Sequence, residues 1–317
     1  MANGLAGLVI KEQSGFFWVE AQDGRVYTCR LRGRLLEEAR SSDVAAIGDR
    51  VHIQVIDEAT GAIESVDPRV SALSRAARTE GNRGAGAAER EHVIIANADQ
   101  AFFVFAAAQP TPSLRMVDRF LIAGEKAGIE KPIIVVNKVD LEGAQPTIAR
   151  FDLYRQLGYT VLHTSALRCE GIDALRELLK DRISVFTGPS GVGKSSLLNV
   201  LQPGLGRVVN DISEARMEGM HTTRDSELVK LAFGGYLADT PGIRTLNIWD
   251  VEPEELDGYF VEIAPLVPKC RFADCEHRSE PGCAVRAALA QGSISHSRYQ
   301  SYLSLRTELE DALAAMY

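Results

Sequence analysis

The chain of 317 residues has few cysteines, no long apolar segment and fewer basic than acidic residues. Its five cysteines are an odd number, which argues against a disulfide framework. The longest purely apolar run, Ala101–Ala108, has eight residues, whereas a membrane span needs roughly 18 or more. The first residues lack the basic region of a signal peptide. These absences predict a soluble, cytoplasmic protein that makes no membrane contact.

The charge balance and composition exclude further classes of protein. With 35 basic and 43 acidic residues the net charge is −8, which argues against indiscriminate binding to nucleic acid but allows local basic patches. Hydrophobic residues make up 45% and charged residues 25% of the chain, which excludes a disordered or collagen-like protein. The length corresponds to about two domains of roughly 150 residues each.

Patterns along the chain predict three structured regions and one linker. Residues 1–70 contain five short strand-like segments and no convincing helix, which predicts a closed barrel of the OB type. Residues 71–91 are rich in Arg, Gly and Ala and are expected to form a flexible linker. Residues 92–251 alternate strand and helix patterns, which predicts a mostly parallel sheet covered on both faces. Residues 252–317 are expected to form a small, mostly helical module with a cysteine cluster.

Arginines cluster on the predicted third strand of the barrel. Alternation places Arg30 and Arg32 on the face opposite to Tyr27. Arg34 follows, and the segment from Gly24 to Leu36 contains four arginines and no acidic residue. Arg30, Arg32 and Arg34 are candidate RNA-binding residues, and a solvated strand face is the plainer alternative.

A phosphate-binding motif follows a predicted strand and opens a predicted helix. Its glycines let successive backbone N–H groups surround phosphates, Lys194 would reach the β- and γ-phosphates, and the Ser195 hydroxyl would bind Mg²⁺. Asp239 and Gly242, from D-T-P-G after a later strand, would hold Mg²⁺ through water and sense the γ-phosphate. The candidate residues of the phosphate motif are Gly188, Pro189, Ser190, Gly191, Val192, Gly193, Lys194, Ser195 and Ser196.

Two loops after earlier strands are predicted to read the base. In N-K-V-D, the Asp140 carboxylate would accept from guanine N1–H and the exocyclic amine, which adenine does not offer. Asn137 would fix the loop and the Lys138 stem would cover the ring, while T-S-A would contact guanine O6 through a backbone N–H. GTP is therefore favoured over ATP. The candidate base-reading residues are Asn137, Lys138, Val139, Asp140, Thr164, Ser165 and Ala166.

The order of these motifs is unusual, because the base-reading loops precede the phosphate loop. All of them meet at the C-terminal edge of one predicted sheet, so a circular permutation preserves the site. The segment after D-T-P-G, which responds most to the γ-phosphate, then leads directly into the cysteine-containing region.

Four candidate metal ligands, Cys270, Cys275, His277 and Cys283, lie within 14 residues. They suffice for tetrahedral zinc and leave no open position, which predicts a structural rather than a catalytic ion. The region Lys269–Arg306 contains six basic and three acidic residues and is a second candidate RNA-binding region.

The motif order N-K-x-D, T-S-A, phosphate loop and D-T-P-G, with a barrel before it and a Cys/His cluster after it, resembles the bacterial RsgA family of small ribosomal subunit-dependent GTPases. The resemblance covers essentially the whole chain. It implies a permuted α/β P-loop GTPase domain between an OB barrel and a zinc-binding module. It further implies a GTPase, expected to be monomeric, that binds the 30S subunit and its 16S rRNA late in assembly. Other assembly factors are implied partners, and release of one of them is the implied outcome.

Catalytic residues are expected between the phosphate loop and D-T-P-G. Either Thr222 or Thr223 would close over the nucleotide and complete the Mg²⁺ shell. Ile243 stands where many GTPases have a water-orienting glutamine, so intrinsic hydrolysis should be slow. His221 resembles the family's histidine before paired threonines, suggested there as a substitute catalytic group; a solvent-exposed loop histidine is the alternative. Met220 departs from the family's usual arginine.

Two other functions compete with this interpretation. One is a GTP-driven metallochaperone in which the Cys/His cluster delivers its metal, and four closed ligands in one loop argue against labile transfer. The other is a nucleotide-gated RNA-binding scaffold with negligible turnover, which Ile243 favours. Metal retention against a chelator tests the first, and turnover with and without small subunits tests the second.

Overall fold

The barrel occupies the first part of the chain. The computed structural model describes residues 4–38, 43–77, 90–129, 132–206, 226–239 and 251–314. The barrel strands are β1 (Gly4–Gln13), β2 (Phe16–Ala21), β3 (Val26–Leu31), β4 (Arg50–Val55) and β5 (Thr60–Val66). They pair in the order β1-β2-β3-β5-β4, and β4 returns to β1, which closes the barrel.

Alternating side chains fill the barrel interior, as the sequence predicts. On β3, Tyr27 and Cys29 are buried whereas Arg30 is exposed. A short helix, α1 (Gly33–Glu38), follows β3 and was not expected from the sequence. Its six residues are too few to give a clear helical period.

The predicted linker, residues 71–91, is wrong in part, because both of its ends are in strands. β6 (Ala72–Ala77) and β7 (Arg90–Ala96) pair as an antiparallel hairpin. β6 consists mostly of small residues with one arginine, which is a weak strand pattern, and its partner is the next strand along the chain. Leu73 and Ile95 are buried in the main hydrophobic core, so the hairpin packs as part of the fold.

A mostly parallel sheet follows, as predicted. Its strands are β8 (Gln100–Ala106), β9 (Pro132–Asn137), β10 (Thr160–His163), β11 (Ile183–Thr187), β12 (Ser226–Lys230) and β13 (Tyr236–Asp239). They lie in the order β10-β9-β8-β11-β13-β12, and β12 is antiparallel to β13. The helices between them are α2 (Leu114–Lys126), α3 (Gln145–Gln156), α4 (Ile172–Leu179) and α5 (Lys194–Leu201).

The central strand β8 divides the core into two layers. Phe103 and Phe105 belong to the cluster that contains α2 and α3, while Phe102 and Val104 belong to the cluster that contains α4 and α5. Because successive strand residues point to opposite faces, the run of apolar residues in β8 serves both layers.

The barrel and the parallel sheet are joined by main-chain pairing. Near its end β1 leaves β4 and pairs with β12, so that Lys11 lies opposite Glu227 and Glu12 opposite Ser226. On the neighbouring strands, the Tyr236 hydroxyl donates to the carboxylate of Glu20 at 2.6 Å. The barrel is therefore continuous with the edge of the larger sheet.

The last region has little regular structure before its two helices. It contains 3₁₀ turns at Leu256–Tyr259 and Ala264–Lys269, then α6 (Ala284–Ala290) and α7 (His296–Ala314). Although a mostly helical module is predicted from residue 252, Leu256–Tyr259 forms only a 3₁₀ turn, because Gly258 and the preceding aspartate are poor helix formers. α7 packs against α2. Across the part of the chain that the structure describes, every helix is too short or too polar to traverse a lipid bilayer.

Candidate nucleotide site and metal cluster

The candidate nucleotide loops lie together at one edge of the sheet. Asn137 is the last residue of β9, Thr164 directly follows β10, Gly188 follows β11 and Asp239 ends β13. These strands are parallel, so their C-terminal ends share one edge, where sheets of this kind bind ligands. Because β8 separates β9 from β11, the base-reading and phosphate loops stand on either side of it.

Asn137 connects the two base-reading loops to the phosphate loop. Its side chain is 1% exposed, and Nδ2 donates to the carbonyl oxygen of Val192 at 2.8 Å. Its Oδ1 accepts from the hydroxyl of Thr164 at 3.2 Å. A single buried amide therefore holds loops from three strands. The motif indicates that Asn137 fixes a loop, but the partner in the phosphate loop cannot be deduced from it.

Ser165 orients the carboxylate that is predicted to read the base. Its Oγ donates to Asp140 Oδ1 at 2.6 Å and accepts from the backbone N–H of Arg168 at 3.0 Å. Ser165 is fully buried, so it holds this carboxylate in one orientation. The sequence assigns a backbone role to Thr164–Ala166, and the structure adds these side-chain contacts.

The phosphate loop approaches its neighbours so closely that two glycines are required. A Cβ on Gly188 would lie 2.1 Å from the carbonyl oxygen of Val104, and one on Gly193 would lie 2.4 Å from Asn137 Nδ2. Gly193 also has a φ of +91° immediately before α5, which side-chain-bearing residues rarely adopt. The glycines of the motif therefore also allow the loops to pack together.

Two lysines donate to backbone carbonyls around the phosphate loop. Lys138 Nζ lies 2.5 Å from the carbonyl oxygen of Gln109 and 2.6 Å from that of Gly191. Lys194 Nζ lies 2.7 Å from the carbonyl oxygen of Gly188. The Lys138 stem thus bridges the base loop and the phosphate loop.

The structure describes some of the other predicted site residues and leaves the rest outside the described ranges. Val139, Ala166, Ser190, Ser195 and Ser196 lie in the loops just described or in the first turn of α5. His221, Thr222, Thr223 and Gly242 lie outside the described residues, and only the backbone of Asp239 is described. That backbone ends β13, which pairs with β11, the strand that leads to Ser195.

Four side chains of the last region form a metal-ligating cluster. Cys270, Cys275, His277 and Cys283 each place one donor atom within 4.8 Å of all the others. His277 Nδ1 lies 3.6 Å from Cys270 Sγ and 3.5 Å from Cys283 Sγ. Three thiols and one imidazole are a donor set for a structural zinc ion, and the cluster fits that ion.

Neighbouring groups determine which ring nitrogen of His277 faces the sulfurs. Nε2 lies 3.2 Å from Asp257 Oδ2, which favours a proton on Nε2 and leaves Nδ1 as the ligating atom. Tyr299 Oη donates to the backbone carbonyl of His277 at 2.5 Å. Burial raises the pKa of the Cys275 thiol to about 12, so its thiolate requires a bound cation. Asp257 was not found from the sequence, since it lies 20 positions from its partner.

Comparison with known families identifies the chain. The family model of the RsgA GTPase matches residues 66–249, and that of the RsgA N-terminal domain matches residues 6–63. The chain belongs to the RsgA GTPase family. It is therefore a GTP-hydrolysing enzyme, as the phosphate and base-reading motifs predict.

Individual relatives match over nearly the whole chain. The small ribosomal subunit biogenesis GTPase RsgA of Gemmatimonas aurantiaca is 42% identical over 98% of this chain and 99% of its own. That of Moorella thermoacetica is 43% identical over 96% and 97%. The crystal structure of YjeQ from Thermotoga maritima has a TM-score of 0.76 at 35% identity, covering 96% of this chain and 98% of that one. YloQ, a circularly permuted GTPase, has a TM-score of 0.74 at 32% identity, covering 98% and 96%.

The predicted fold class is confirmed. The structure has a permuted GTPase domain, a five-stranded barrel before it, and a mostly helical region with a Cys₃His cluster after it. The barrel matches the RsgA N-terminal domain, and the similar solved structure of YloQ is described as a circularly permuted GTPase.

The barrel arginines of this RsgA-family chain have more intramolecular partners than the sequence suggests. Arg32 Nε donates to Glu64 Oε1 at 2.7 Å, and Arg34 Nη2 donates to the Glu64 backbone carbonyl at 2.9 Å. Arg30 lies over Phe16, with its guanidinium carbon 4.3 Å from the ring centroid. Glu64 comes from β5, which pairs in parallel with β3, so its proximity is invisible in the local sequence. Of the three, only Arg30 has no carboxylate partner within the described residues.

Two of the six basic residues in the predicted region Lys269–Arg306 are buried, so they are not available to bind RNA. Arg298 is 2% exposed, and it donates to Asp118 at 2.5 Å and to Glu262 at 2.6 Å. Arg306 is 5% exposed; it pairs with a carboxylate of its own helix and also donates to the backbone carbonyl of Pro253 at 3.0 Å. These two arginines attach α7 to the rest of the protein, because buried charges require partners.

Proposed function

We propose that this chain hydrolyses GTP as a biogenesis factor of the small (30S) ribosomal subunit. In this proposal it acts late in the maturation of the subunit, as a cytoplasmic monomer, and promotes release of an assembly factor. The names of the relatives support the link to the small ribosomal subunit. The 16S rRNA and other assembly factors are its proposed partners.

The contact between the base and phosphate loops is the observation that carries the proposal. Asn137 bonds to both Val192 and Thr164, so the base pocket and the phosphate loop form one unit. Asp140, held by Ser165, accepts from guanine N1–H and the exocyclic amine. Adenine offers no matching donors, so a carboxylate covered by adenine would lose water without gaining a hydrogen bond, and adenine would bind poorly at this position.

The phosphate groups and Mg²⁺ are assigned to the other half of the site. Lys194 contacts the β- and γ-phosphates, and the Ser195 hydroxyl and the Asp239 carboxylate hold Mg²⁺. The bound ion neutralises negative charge that develops on the phosphates. Gly242 senses the γ-phosphate through its N–H.

Hydrolysis is proposed to depend on the subunit. Ile243 has no hydrogen-bonding group to orient water, so the isolated chain hydrolyses slowly. His221 is assigned the role of substitute catalytic group, and Thr222 or Thr223 completes the Mg²⁺ shell. Binding of the small subunit brings this segment over the nucleotide and stimulates the reaction.

The cluster of Cys270, Cys275, His277 and Cys283 is assigned one structural zinc ion. Its donor set, the burial of His277 and the orienting carboxylate of Asp257 support this assignment. The same features disfavour a metallochaperone, because a closed and buried site releases its ion slowly. Arg30, Arg32 and Arg34 remain the proposed RNA contacts of the barrel, with Arg30 the most available of the three.

A turnover assay with purified small subunits tests the proposal. We expect slow GTP hydrolysis by the zinc-loaded chain alone and clear stimulation by small subunits, with large subunits as the matched control. Equal rates in all three reactions, together with tight GTP-dependent binding to the subunit, would instead identify a nucleotide-gated scaffold.

A further inference from the structure

A cavity lies at the edge of the parallel sheet opposite to the nucleotide loops. Its volume is about 740 Å³, which is within the range of pockets that bind small molecules. It forms where β9 and β10 begin, between the end of α2 and a turn that precedes the metal loop. Its walls include Glu125, Ile129, Pro132, Leu157, Tyr159 and Val261.

The walls of this cavity are mostly apolar and carry one carboxylate. Ile129 is buried, Leu157 is half-buried and Val261 is 40% exposed. Among the described residues that line the cavity, Glu125 is the one with a charge. The Tyr159 hydroxyl donates to Glu125 Oε1 at 2.7 Å, and Oε2 has no hydrogen bond to the described part of the chain. The cavity therefore offers apolar contacts and one carboxylate oxygen that can accept from a ligand.

The cation beside Glu125 is already engaged by two other carboxylates. Arg298 donates through Nε and Nη2 to Glu262 at 2.6 and 2.9 Å, and through Nη1 to Asp118 at 2.5 Å. Three carboxylates thus share one guanidinium, and no ion pair within the described ranges includes Glu125. A cation that enters the cavity would supply the missing partner.

The surroundings of Glu125 disfavour its ionised form. Burial raises the pKa of the Glu125 carboxyl above its ordinary value, because a charge in a poorly hydrated place is costly. The hydrogen bond from Tyr159 and the charge of Arg298 lower this pKa, whereas the negative charge of Glu262 raises it. Since the net shift is upward, the ionised carboxylate gains more from an incoming cation than an exposed one would.

We propose that this cavity binds a primary alkylammonium ion. The ammonium group donates to Glu125 Oε2, and its aliphatic stem packs on Ile129, Leu157 and Val261. Burial of the stem against these side chains contributes hydrophobic free energy. The same group occurs in free aliphatic amines and in lysine side chains, so either can supply it. The inference is independent of the proposed function, because it uses no residue of the nucleotide site.

The chemistry of the walls favours an ammonium ion over other cations. Mg²⁺ and Ca²⁺ need several oxygen ligands, whereas the described walls supply one carboxylate. A guanidinium ion binds best to both oxygens of a carboxylate, and Tyr159 already donates to one of them. An ammonium ion is a compact charge that needs one oxygen, and its apolar stem matches the apolar walls.

Titration of the full-length, zinc-loaded chain with n-butylammonium tests this inference. The methyl NMR resonances of Ile129 and Val261 should shift, which locates the ion in this cavity. Glu125→Gln keeps the size of the side chain and should weaken binding about tenfold, since it removes one charged hydrogen bond. Glu177→Gln, at an exposed glutamate outside the cavity, makes the same change of charge and is the matched control. n-Butanol has the stem without the charge and should bind weakly and equally to all three proteins.

The pH dependence of binding provides a second measurement. Wild-type affinity for n-butylammonium should increase as the pH rises through the raised pKa of Glu125, because the carboxylate ionises while the amine stays protonated. The Glu125→Gln variant should lack this increase. Zinc content and melting temperature report on the folding of each variant.

The outcomes decide the inference and the source of the amine. The inference is wrong if n-butylammonium leaves both resonances unshifted, if n-butanol binds as tightly, or if Glu125→Gln binds the ion like the wild type. Weaker binding of Glu125→Gln to intact small subunits would assign the ammonium group to a lysine side chain, and unchanged binding would assign it to a free amine. Failure of small subunits to stimulate wild-type GTP hydrolysis would count against the proposed function alone.

Discussion

The proposed nucleotide site takes its residues from the ends of four separate strands, whereas the proposed metal site takes all of its ligands from one loop of 14 residues. β8, β9 and β11, the strands at the centre of the nucleotide site, are buried along their whole length. The metal loop contains no helix or strand between Cys270 and Cys283. The nucleotide loops are thus ordered by the core of the sheet, while the metal loop depends on its ligands. Substitutions in the nucleotide loops should therefore lower activity, whereas substitutions of the metal ligands should unfold the metal loop locally.

The largest expected effect is in the metal loop. Cys283→Ser should remove about one equivalent of zinc and unfold the last region, because metal-binding energy is folding energy in such modules. Serine preserves the cap that Cys283 provides to α6, so loss of the ligand is isolated from loss of the cap. Metal analysis and GTP titration are the measurements, and GTP affinity should be unchanged. Retention of zinc would remove Cys283 from the ligand set.

The corresponding change in the nucleotide site should leave folding intact. Lys194→Ala should lower kcat by about 10²–10³-fold, since it removes a charge that stabilises the transferring phosphoryl group. Zinc content and the melting temperature should stay at their wild-type values. Lys180→Ala, an exposed lysine after α4, is the matched control. A large fall in melting temperature for Lys194→Ala would contradict the contrast between the two regions.

A smaller effect is expected at Asp257, which contacts a predicted metal ligand but does not itself bind the metal. Asp257→Ala should weaken zinc binding about 10–100-fold, because His277 loses the carboxylate that orients its ring. Competition with a chelator measures this affinity, and Glu254→Ala, an exposed acid nearby, is the control. Equal affinities in the two variants would mean that Asp257 has no orienting role.

The smallest effect is expected at Ser165, which orients a predicted base-reading residue as Asp257 orients a predicted metal ligand. Ser165→Ala should weaken GTP binding about tenfold by freeing the Asp140 carboxylate, in keeping with roughly 1–1.5 kcal/mol for one hydrogen bond. Titration with a fluorescent GTP analogue measures it, and Ser293→Ala, at an exposed serine outside the candidate site, is the control. Unfolding of the Ser165→Ala variant would contradict the conclusion that the buried strands order these loops.

Motifs whose residues are adjacent in sequence were predictable, because their chemistry depends on local spacing. The phosphate loop, the base-reading loop and the metal cluster are of this kind, as is the burial alternation of β3. The orienting side chains Ser165 and Asp257 were not assigned these roles, since each acts on a residue at least 20 positions away.

Interactions between strands or helices distant in sequence account for most of the errors. Glu64 is next to Arg32 only because β3 pairs with β5, and Arg298 is buried only because α7 packs on α2. β6 was mistaken for part of a linker because its sequence consists mostly of small residues. A list of charges along the chain cannot separate exposed cations such as Arg271 from a core arginine such as Arg298.

The joint between the barrel and the larger sheet affects the order in which the protein can fold. Glu20 and Tyr236, which meet at this joint, are 216 positions apart. Synthesis proceeds from the N-terminus, so the barrel is complete long before β12 exists to pair with β1. Until then the end of β1 near Lys11 is an open edge, and open edges pair readily with other chains. Translation products that stop before residue 226 therefore carry a folded but unprotected barrel and are prone to aggregate.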